Sequence, residues 1–280
     1  MKKKVLPSGF GTIIPSIAAF VCAIMLIACS SDKEETNTST STLADKIIGK
    51  WMCYMADGKP CPTNNYYVLN FVSPTKVYRS YSPSTSMGFA NLWENEAECS
   101  VRISGNKFTI NAQYSTALKT ESEYAVISFS ETDMDVSAKH RVTYQGRQID
   151  MPDHSYERLK RITKDYSQDI IGIWEGRSTS VQSEHDDGLL HRWEYKTDGT
   201  YVYYSQDDDG QWVRFDDEYT KYFVDGVLLC SRWKNNGEDT EQREWWEIES
   251  IQNGVMKWTA LRRRDNGTTY TASFQMTKVQ

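Results

Sequence analysis

Apolar and aromatic residues in the second half of the chain form short runs, separated by turn residues roughly every ten positions. The turns are expected at Asp198-Gly199, Gly210, Asp225-Gly226, Asn253-Gly254 and Asn266-Gly267. Such turns, without long stretches of helical periodicity, are typical of antiparallel strands joined by hairpins. Alternation within a strand sorts side chains by face, so Met256, Trp258 and Ala260 share one side.

One sequence frame occurs twice, as "DKIIGKWM" at Asp45 to Met52 and as "DIIGIWEG" at Asp169 to Gly176. Later segments also correspond, because "EYAVISFSETDMDVSA" and "EWWEIESIQNGVMKWTA" share a pattern of strand, turn and strand. We therefore predict a duplication, with one domain at residues 43–162, a linker at 163–168 and a second domain at 169–280.

Each copy offers about eight strands, and closure into an up-and-down barrel would hide the sheet edges. The Gly-x-Trp frame at the start of the first strand, Gly49 with Trp51 and Gly172 with Trp174, resembles the lipocalin signature. The strands that follow, notably "YFVDGVLL", resemble the lipocalin-like domains of Bacteroides-type lipoproteins. The resemblance implies an all-β fold of two tandem antiparallel up-and-down, lipocalin-like β-barrels of about eight strands each.

The same resemblance implies a structural role for Trp51 and Trp174, which would plug the closed end of each barrel beneath a basic side chain of the last strand. Arg158 or Arg161 is the expected partner in the first copy. Lys278 is the expected partner in the second copy, where an ammonium stacks on an indole less well than a guanidinium does.

The N-terminus has the layout of a bacterial lipoprotein signal. "MKKK" supplies positive charge, an apolar run from Ile13 to Ile27 follows, and "LIAC" ends at Cys29. The apolar run is short for a membrane-spanning helix, and its flanks are those of a signal peptide. "LIAC" resembles a lipobox, which implies that residues 1–28 are removed and that acyl chains on Cys29 anchor the protein to a membrane. An ordinary secretory signal or an uncleaved anchor is the alternative.

Residues 29–42 form the expected tether after the anchor. Its acidic "SSDKEE" run, Ser30 to Glu35, resembles the export signal of Bacteroides-type lipoproteins that reach the cell surface. The resemblance implies an outer-membrane, lipid-anchored protein exposed at the cell surface. A merely solvated tether on a protein that faces the periplasm is the alternative.

Composition and motifs restrict the classes of partner and of reaction that are expected for this protein. The chain is 25% charged and 39% hydrophobic, as in soluble globular proteins, and its 12% aromatic content favours sheets. A net charge of −6 argues against a nucleic-acid partner, since phosphate binding needs clustered Lys and Arg. With four His and no Gly-x-Ser-x-Gly, His-Glu-x-x-His or phosphate-binding glycine loop, we predict a non-enzymatic protein without a cofactor.

Two acidic segments are candidate metal sites. The first holds four candidate ligands, His185, Asp186, Asp187 and His191. Their spacing fits no specific metal motif, and a solvated loop explains them as well. Asp207 to Gly210 lacks the alternating ligands of an EF-hand loop and is typical of a hairpin turn. We predict no metal, and we expect Arg262 to Arg264 to form a surface salt-bridge patch.

Four further cysteines belong to the expected domains. Cys53 and Cys61 flank a turn-like loop, and an exported protein can oxidise such a pair, so a disulfide between them is a candidate. Cys99 and Cys230 lie in different copies and are expected to be buried thiols.

Aromatic side chains are the leading candidates for ligand contacts, because a barrel of about eight strands can hold one small ligand. In the second copy they are Trp193, Tyr195, Tyr201, Tyr203, Trp212, Trp245 and Trp258. In the first copy they are Tyr67, Leu69, Phe71, Tyr78 and Phe89. The predicted function is binding of a small apolar or amphipathic molecule; an outer-surface module for glycan or protein, or a structural lipoprotein with filled barrels, is the alternative.

Overall fold

The computed structural model describes residues 42–81, 97–149, 151, 154–180, 187–264 and 266–279, which fold mostly into antiparallel strands. The helical elements within these ranges are α1 (Leu43–Lys46) and a 3-10 turn (Thr63–Asn65). The strands of the first sheet are β1 (Gly49–Ala56), β2 (Lys59–Pro60), β3 (Tyr67–Ser73), β4 (Lys76–Tyr81), β5 (Ala97–Ser104), β6 (Lys107–Gln113), β7 (Leu118–Phe129), β8 (Asp133–Tyr144), β9 (Arg147–Ile149) and β10 (Ser155–Ile162). Those of the second sheet are β11 (Gly172–Ser178), β12 (His191–Tyr195), β13 (Tyr201–Gln206), β14 (Trp212–Arg214), β15 (Asp217–Asp225), β16 (Leu228–Asn235), β17 (Gln242–Gln252), β18 (Val255–Arg263) and β19 (Thr269–Lys278).

The first sheet closes into a barrel. Neighbouring strands pair in the order β1, β3, β4, β5, β6, β7, β8 and β10, and β10 pairs with both β8 and β1. Trp51 faces Arg161 in the β1–β10 ladder, and Glu157 faces Val136 in the β8–β10 ladder. The short strands β2 and β9 extend this ring from β1 and β8. Closure satisfies the backbone groups that an open sheet would expose at its edges.

The second sheet curls in the same way but keeps an open seam. Its strand order is β14, β13, β12, β11, β19, β18, β17, β16 and β15, with no ladder between the end strands β14 and β15, both fully described. Single hydrogen bonds join β15 to the β12–β13 hairpin beside the seam, from Tyr222 N to Gly199 O (2.8 Å) and from the Tyr222 hydroxyl to Lys196 O (2.7 Å). The predicted all-β barrel fold is confirmed, and this seam is its one difference from two closed barrels.

The repeated Gly-x-Trp frame begins the first strand of each sheet. Gly49 and Gly172 have φ of 120° and 131°, a backbone region that residues with a side chain rarely adopt. This turn sends Trp51 and Trp174 into the two cores, where both are fully buried. Each indole Nε1 donates to the backbone carbonyl four residues earlier, at 2.7 Å and 2.6 Å respectively. The frame therefore has the same local geometry in both copies.

A basic side chain covers the tryptophan of each frame. The guanidinium of Arg161 lies 4.2 Å from the ring centre of Trp51, and the ammonium of Lys278 lies 5.2 Å from that of Trp174. Arg161 also donates to three backbone carbonyls around the end of the barrel. Arg158, the other candidate in the first copy, pairs with a carboxylate of β8 instead. The basic side chain over the tryptophan therefore makes more interactions in the first barrel than in the second.

The two sheets are packed against each other within one compact unit, Ser41–Gln280. An apolar cluster joins them through Met52, Tyr66, Val68, Leu228, Cys230 and Trp245. Ion pairs of Lys50 with Asp225 and of Lys160 with Glu247 cross the same contact. Buried apolar surface and charge pairing therefore fix one barrel on the other.

The segment predicted as a linker, residues 163–168, lies between the strands of the two sheets and is itself packed. Tyr166 is buried in the second core, and its N–H donates to the carbonyl of Gly226 (3.0 Å). A Cβ atom on Gly226 would meet the side chain of Ile162 at 2.3 Å, so only glycine fits this approach. The connection between the barrels is therefore ordered by contacts on both sides.

A turn of the first barrel completes the wall of the second. Between β17 and β18 the ladder ends at Glu247 and Thr259 and does not reach Trp245 and Leu261. The backbone N–H groups of these two residues therefore have no acceptor on the facing strand. The side chains of the 3-10 turn supply the acceptors: Leu261 N donates to Thr63 Oγ1 (2.8 Å), and Trp245 N donates to Asn64 Oδ1 (3.2 Å). The second barrel thus borrows part of its wall from the first.

Candidate ligand-binding site

A cavity of about 570 Å³ opens into the second barrel. Aromatic side chains from β12, β13, β16, β17, β18 and β19 line it, together with Phe215 beside the open seam. Charged and amide side chains complete the lining, among them Asn64 from the first barrel. The volume lies in the range of about 300–1,000 Å³ that small-molecule sites occupy.

The aromatic floor is held by contacts between the rings. Trp193 packs edge-on against Trp258 with ring centres 5.2 Å apart, and it lies 4.8 Å from Tyr203. Trp246 stacks on Trp258 at 5.5 Å. Because each ring is fixed by at least one other, the floor is formed without a ligand, which lowers the entropic cost of binding.

A polar corner stands beside this floor. Arg262 lies over the ring of Trp246 at 4.6 Å, forms an ion pair with Glu244, and donates from Nη1 to Asn64 Oδ1 at 2.8 Å. The indole Nε1 of Trp246 donates to Glu244 Oε2 at 2.9 Å. The corner combines charged groups that are already paired, so it can orient a polar ligand atom without presenting a free charge.

Tyrosine hydroxyls add neutral polar groups to the wall. Burial raises the pKa of Tyr195, Tyr201 and Tyr203, so all three remain protonated at neutral pH. The hydroxyl of Tyr203 lies 2.7 Å from His191 Nδ1, and His191 Nε2 lies 3.2 Å from a carboxylate oxygen of Asp187. These two contacts of His191 fix the direction of the Tyr203 hydroxyl at the cavity wall.

Five of the seven aromatic residues that were predicted from the sequence to contact a ligand in the second copy lie together around the cavity. The five that line the cavity are Trp193, Tyr195, Tyr201, Tyr203 and Trp258. Trp212 lies elsewhere, beneath the guanidinium of Arg192 at 4.0 Å. Trp245 is also elsewhere, fully buried where the two barrels meet. That the five contact a ligand stays a prediction.

Sequence reasoning missed four aromatic residues of the cavity, namely Phe215, Trp233, Trp246 and Tyr270. Trp245 and Trp246 are adjacent, so they point to opposite faces of β17. Both faces of this strand are buried, one in the cavity and one against the first barrel, so alternation alone does not identify the inner residue. Glu244, two residues before Trp246, lines the same cavity, so the inner face of β17 is not wholly apolar.

The first barrel is filled where the sequence proposed ligand contacts. Phe71 is buried with its ring centre 5.5 Å from that of Phe108, and Leu69 belongs to the same core. Tyr78 points outward beneath the ammonium of Lys76. Phe89 lies outside the described residues. The four described candidates, Tyr67, Leu69, Phe71 and Tyr78, line neither of the two cavities of this structure, and polar groups around Tyr67 complete the interior.

Those polar groups form a buried network. Arg79 Nη1 donates to Ser122 Oγ (3.0 Å), which lies 2.9 Å from His140 Nδ1. His140 Nε2 lies 3.0 Å from Glu157 Oε1, and Tyr67 donates to the other oxygen of Glu157. The order serine, histidine and carboxylate occurs in hydrolases, but here the serine is 1% exposed and held by an arginine. The arrangement is that of a network that satisfies polar groups inside a barrel.

A second cavity of about 480 Å³ lies on the first barrel. Its walls are almost entirely polar and include Asn111, Lys119, Glu121, Arg141 and Gln148. Arg141 pairs with Glu121 across it. Without apolar walls, this cavity offers little of the burial that drives binding of a small molecule.

The cysteines are thiols in the structure. Cys53 and Cys61 lie side by side, and a hydrogen bond between them raises the pKa of Cys53 and lowers that of Cys61. The proposed disulfide between them is not formed here and stays a prediction for the oxidised protein. Cys99 and Cys230 are both buried.

The acidic segments serve local structure where they are described. Asp207 accepts backbone hydrogen bonds from Asp209 (3.1 Å) and Gln211 (2.8 Å), as a hairpin turn requires. His185 and Asp186 lie outside the described residues. Among the residues that are described, no three metal-binding side chains come together. Arg262, expected at the surface, is 7% exposed and part of the polar corner, which corrects that expectation.

Within the same described ranges, no helix has the length and apolar character needed to cross a membrane. Cys29 and all of the tether except Thr42 lie outside the described residues, so the predicted roles of the anchor and the tether stay predictions.

No protein-family model and no curated protein matches the chain. Among solved structures, it is similar to a tryptophan-to-alanine mutant of the vaccine antigen transferrin binding protein B from Haemophilus parasuis, with 8% identity and a TM-score of 0.23 over 79% of this chain and 62% of that one. It is also similar to a putative thioesterase II from Thermobifida fusca, with 10% identity and a TM-score of 0.14 over 66% of this chain and 96% of that one. The chain thus spans less than two thirds of the first protein, and likenesses this distant assign no function.

Proposed function

We propose that this protein is a non-enzymatic, lipid-anchored protein of the cell envelope whose second barrel binds a small amphipathic molecule. One observation carries the proposal: a cavity of about 570 Å³ that is lined by a cluster of aromatic rings together with charged and amide side chains. Sites for small molecules combine these features, with apolar walls for affinity and a few polar groups for orientation.

Binding would draw on burial of apolar surface. Each Å² of apolar ligand surface removed from water contributes about 25 cal/mol, before the cost of immobilising the ligand. The rings of Trp193, Trp246 and Trp258 already hold one another, so little protein motion is needed. The corner of Arg262, Glu244 and Asn64 would orient the polar part of the ligand.

The anchor in this proposal rests on the N-terminal sequence. The lipobox-like "LIAC" and the acidic tether support acylation of Cys29 and a position at the outer membrane, with the cell surface favoured over the periplasmic face. Cys29→Ser is expected to move the protein from the membrane fraction to the soluble fraction. Unchanged fractionation of this variant would contradict the anchor and leave the cavity proposal intact.

The distribution of aromatic residues supports a carrier over a surface-binding module. Exposed aromatic side chains away from the cavity are scattered among the described residues, as at Tyr144 and Tyr156, whereas the large cluster faces inward. A purely structural protein would be expected to fill both barrels. The first barrel fits that description, and the second does not.

Native mass spectrometry of the full-length chain from its own cells tests the proposal. We expect an additional mass of roughly a few hundred daltons that is lost on denaturation. Ser231 points into the cavity, so Ser231→Phe should fill the space and remove the bound mass. Lys234→Phe, on the outer face of the same strand, is the matched control and should retain it. A chain without added mass, or a bound mass that survives Ser231→Phe, would contradict binding in this cavity.

A further inference from the structure

The cavity wall contains a buried hydrogen-bond donor that has no acceptor. Trp258 lines the cavity and is 1% exposed, and its indole Nε1–H has no hydrogen-bond partner within the described part of the chain. Its stacking partner Trp246 differs, because that indole donates to Glu244. Buried donors without acceptors are rare in folded proteins, and one beside a cavity points to an acceptor on a ligand.

Arg262 provides a second donor on the same face of β18. Its Nη atoms are bound to Glu244 and Asn64, whereas its buried Nε–H has no partner among the described residues. An acceptor atom of a ligand would therefore have the Nε–H of Arg262 as a second donor on this face of β18. Indole and guanidinium N–H groups donate only, so the ligand atoms that meet them must be acceptors.

The charges around the cavity select an uncharged acceptor. Three acidic and three basic side chains line the cavity, namely Asp216, Asp217, Glu244, Arg243, Arg262 and Arg263. The most buried of the cations, Arg262, is 7% exposed and is already neutralised by its ion pair with Glu244. A carboxylate buried beside Trp258 and Arg262 would therefore lose its hydration without gaining a free counter-charge there, which is unfavourable. A carbonyl oxygen accepts a hydrogen bond at a much smaller desolvation cost.

We propose that the ligand is an uncharged molecule with a flat apolar body and a carbonyl-type oxygen that accepts a hydrogen bond from Trp258 Nε1. This inference rests on the proposed binding function and specifies the class of ligand. Trp245 gives an internal comparison, because its Nε1–H also lacks a partner but lies where the barrels meet, away from the cavity.

Three probes of matched aromatic area test the proposal with the full-length chain: naphthalene, 2-acetylnaphthalene and 2-naphthoate, with dissociation constants from equilibrium dialysis. We expect 2-acetylnaphthalene to bind about tenfold more tightly than naphthalene, and 2-naphthoate to bind more weakly than 2-acetylnaphthalene. Trp258→Phe keeps an aromatic ring but removes the N–H, so the ratio of the naphthalene and 2-acetylnaphthalene dissociation constants should fall from about ten to about one, whatever the change in affinity common to both probes. Trp245→Phe is the matched control and should preserve the preference.

The outcomes separate the two proposals. Equal binding of naphthalene and 2-acetylnaphthalene to the wild type, or a ketone preference that survives Trp258→Phe, would overturn the acceptor while leaving a binding cavity. Tightest binding of 2-naphthoate would overturn the uncharged ligand. If none of the three probes binds and the native chain carries no added mass, both proposals fail. The wild-type comparison stands even if a variant does not fold.

Discussion

The side-chain oxygen of Asn64, in the first barrel, lies 2.8 Å from Nη1 of Arg262, in the second. The same oxygen accepts the backbone N–H of Trp245, where the ladder between β17 and β18 has ended. One amide of the first barrel therefore both completes the backbone hydrogen bonding of the second and positions the guanidinium of its polar corner. The first barrel, though filled, acts on the cavity through this contact.

Loss of this oxygen should destabilise the second barrel. Asn64→Ala removes the acceptor of the Trp245 N–H and one of the two acceptors of Arg262 Nη1, which keeps its bond to Trp245 O (3.0 Å). Each buried donor left unsatisfied costs about 1–3 kcal/mol. We expect a lower unfolding free energy in denaturant titrations and weaker probe binding. Asn64→Asp retains an acceptor oxygen and is the control. Equal stability of Asn64→Ala and the wild type would mean that solvent replaces Asn64 at this site.

Much of the fold follows from local sequence signals. The Gly-x-Trp frames, the paired strand patterns and the Asp-Gly and Asn-Gly turns are local features, and each has the expected position in the structure. Closure of the first sheet follows from strand number. The open seam of the second sheet does not, because it depends on how the short strand β14 and the long strand β15 meet in space.

The site was less accessible to sequence reasoning, for two physical reasons. Alternation separates Trp245 from Trp246 but does not say which face is inside, because a second barrel covers the outer face. Asn64 belongs to the cavity only because the chain folds back from a different barrel, far away in sequence. Contacts between distant segments leave no local pattern.

The covers on the two repeated tryptophans should differ in their contribution to stability. Arg161 combines a position over Trp51 with hydrogen bonds to backbone carbonyls, so Arg161→Ala should cost about 2–4 kcal/mol. Lys278 is exposed and only stacks, so Lys278→Ala should cost about 1 kcal/mol or less. Denaturant unfolding of the two variants measures this directly.

Trp51→Ala and Trp174→Ala set the scale for the comparison, since emptying either core position should cost about 3–5 kcal/mol. Equal, small effects of Arg161→Ala and Lys278→Ala would show that the cation is dispensable in both barrels. Unchanged stability of the tryptophan variants would contradict the structural role of the frame itself.

Glu157 should make the first barrel sensitive to acid. Burial opposes its ionisation, but hydrogen bonds from His140, Tyr67 and Ser155 outweigh burial and hold its pKa below the usual value. The Glu157 carboxylate therefore takes up a proton at a higher pH in the unfolded chain, near pH 4.3, than in the folded protein. The stabilisation is fully present above that pH and is lost as the pH falls through the lower pKa of the folded state.

Denaturant titrations between pH 7 and pH 2.5 would measure this loss. We expect Glu157→Gln to be less stable than the wild type at neutral pH but to lose less stability on acidification. Glu249→Gln removes an exposed carboxylate and is the control, with the pH dependence of the wild type. If the unfolding free energy of Glu157→Gln fell with pH as steeply as that of the wild type, other carboxylates would be responsible for the acid sensitivity.

Cys61 should be the most reactive thiol of the folded domains. The hydrogen bond from Cys53 lowers its pKa and it is only half-buried, whereas that bond and burial raise the pKa of Cys53. Burial raises the pKa of Cys99 to about 11 and also raises that of Cys230. The thiolate is the reactive form, so iodoacetamide at mildly alkaline pH should label Cys61 first, as peptide mapping would show.

The neighbouring thiols also make a defined oxidation product accessible. Diamide, a two-electron oxidant, should remove one hydrogen from each of Cys53 and Cys61 as the S–S bond forms, and Cys61 should then resist iodoacetamide until a reductant is added. Cys53→Ser is the control: it should leave Cys61 open to alkylation after diamide. Faster labelling of Cys99 or Cys230 than of Cys61 would contradict the burial on which the order depends, and labelling of Cys61 that diamide does not alter would contradict the pairing.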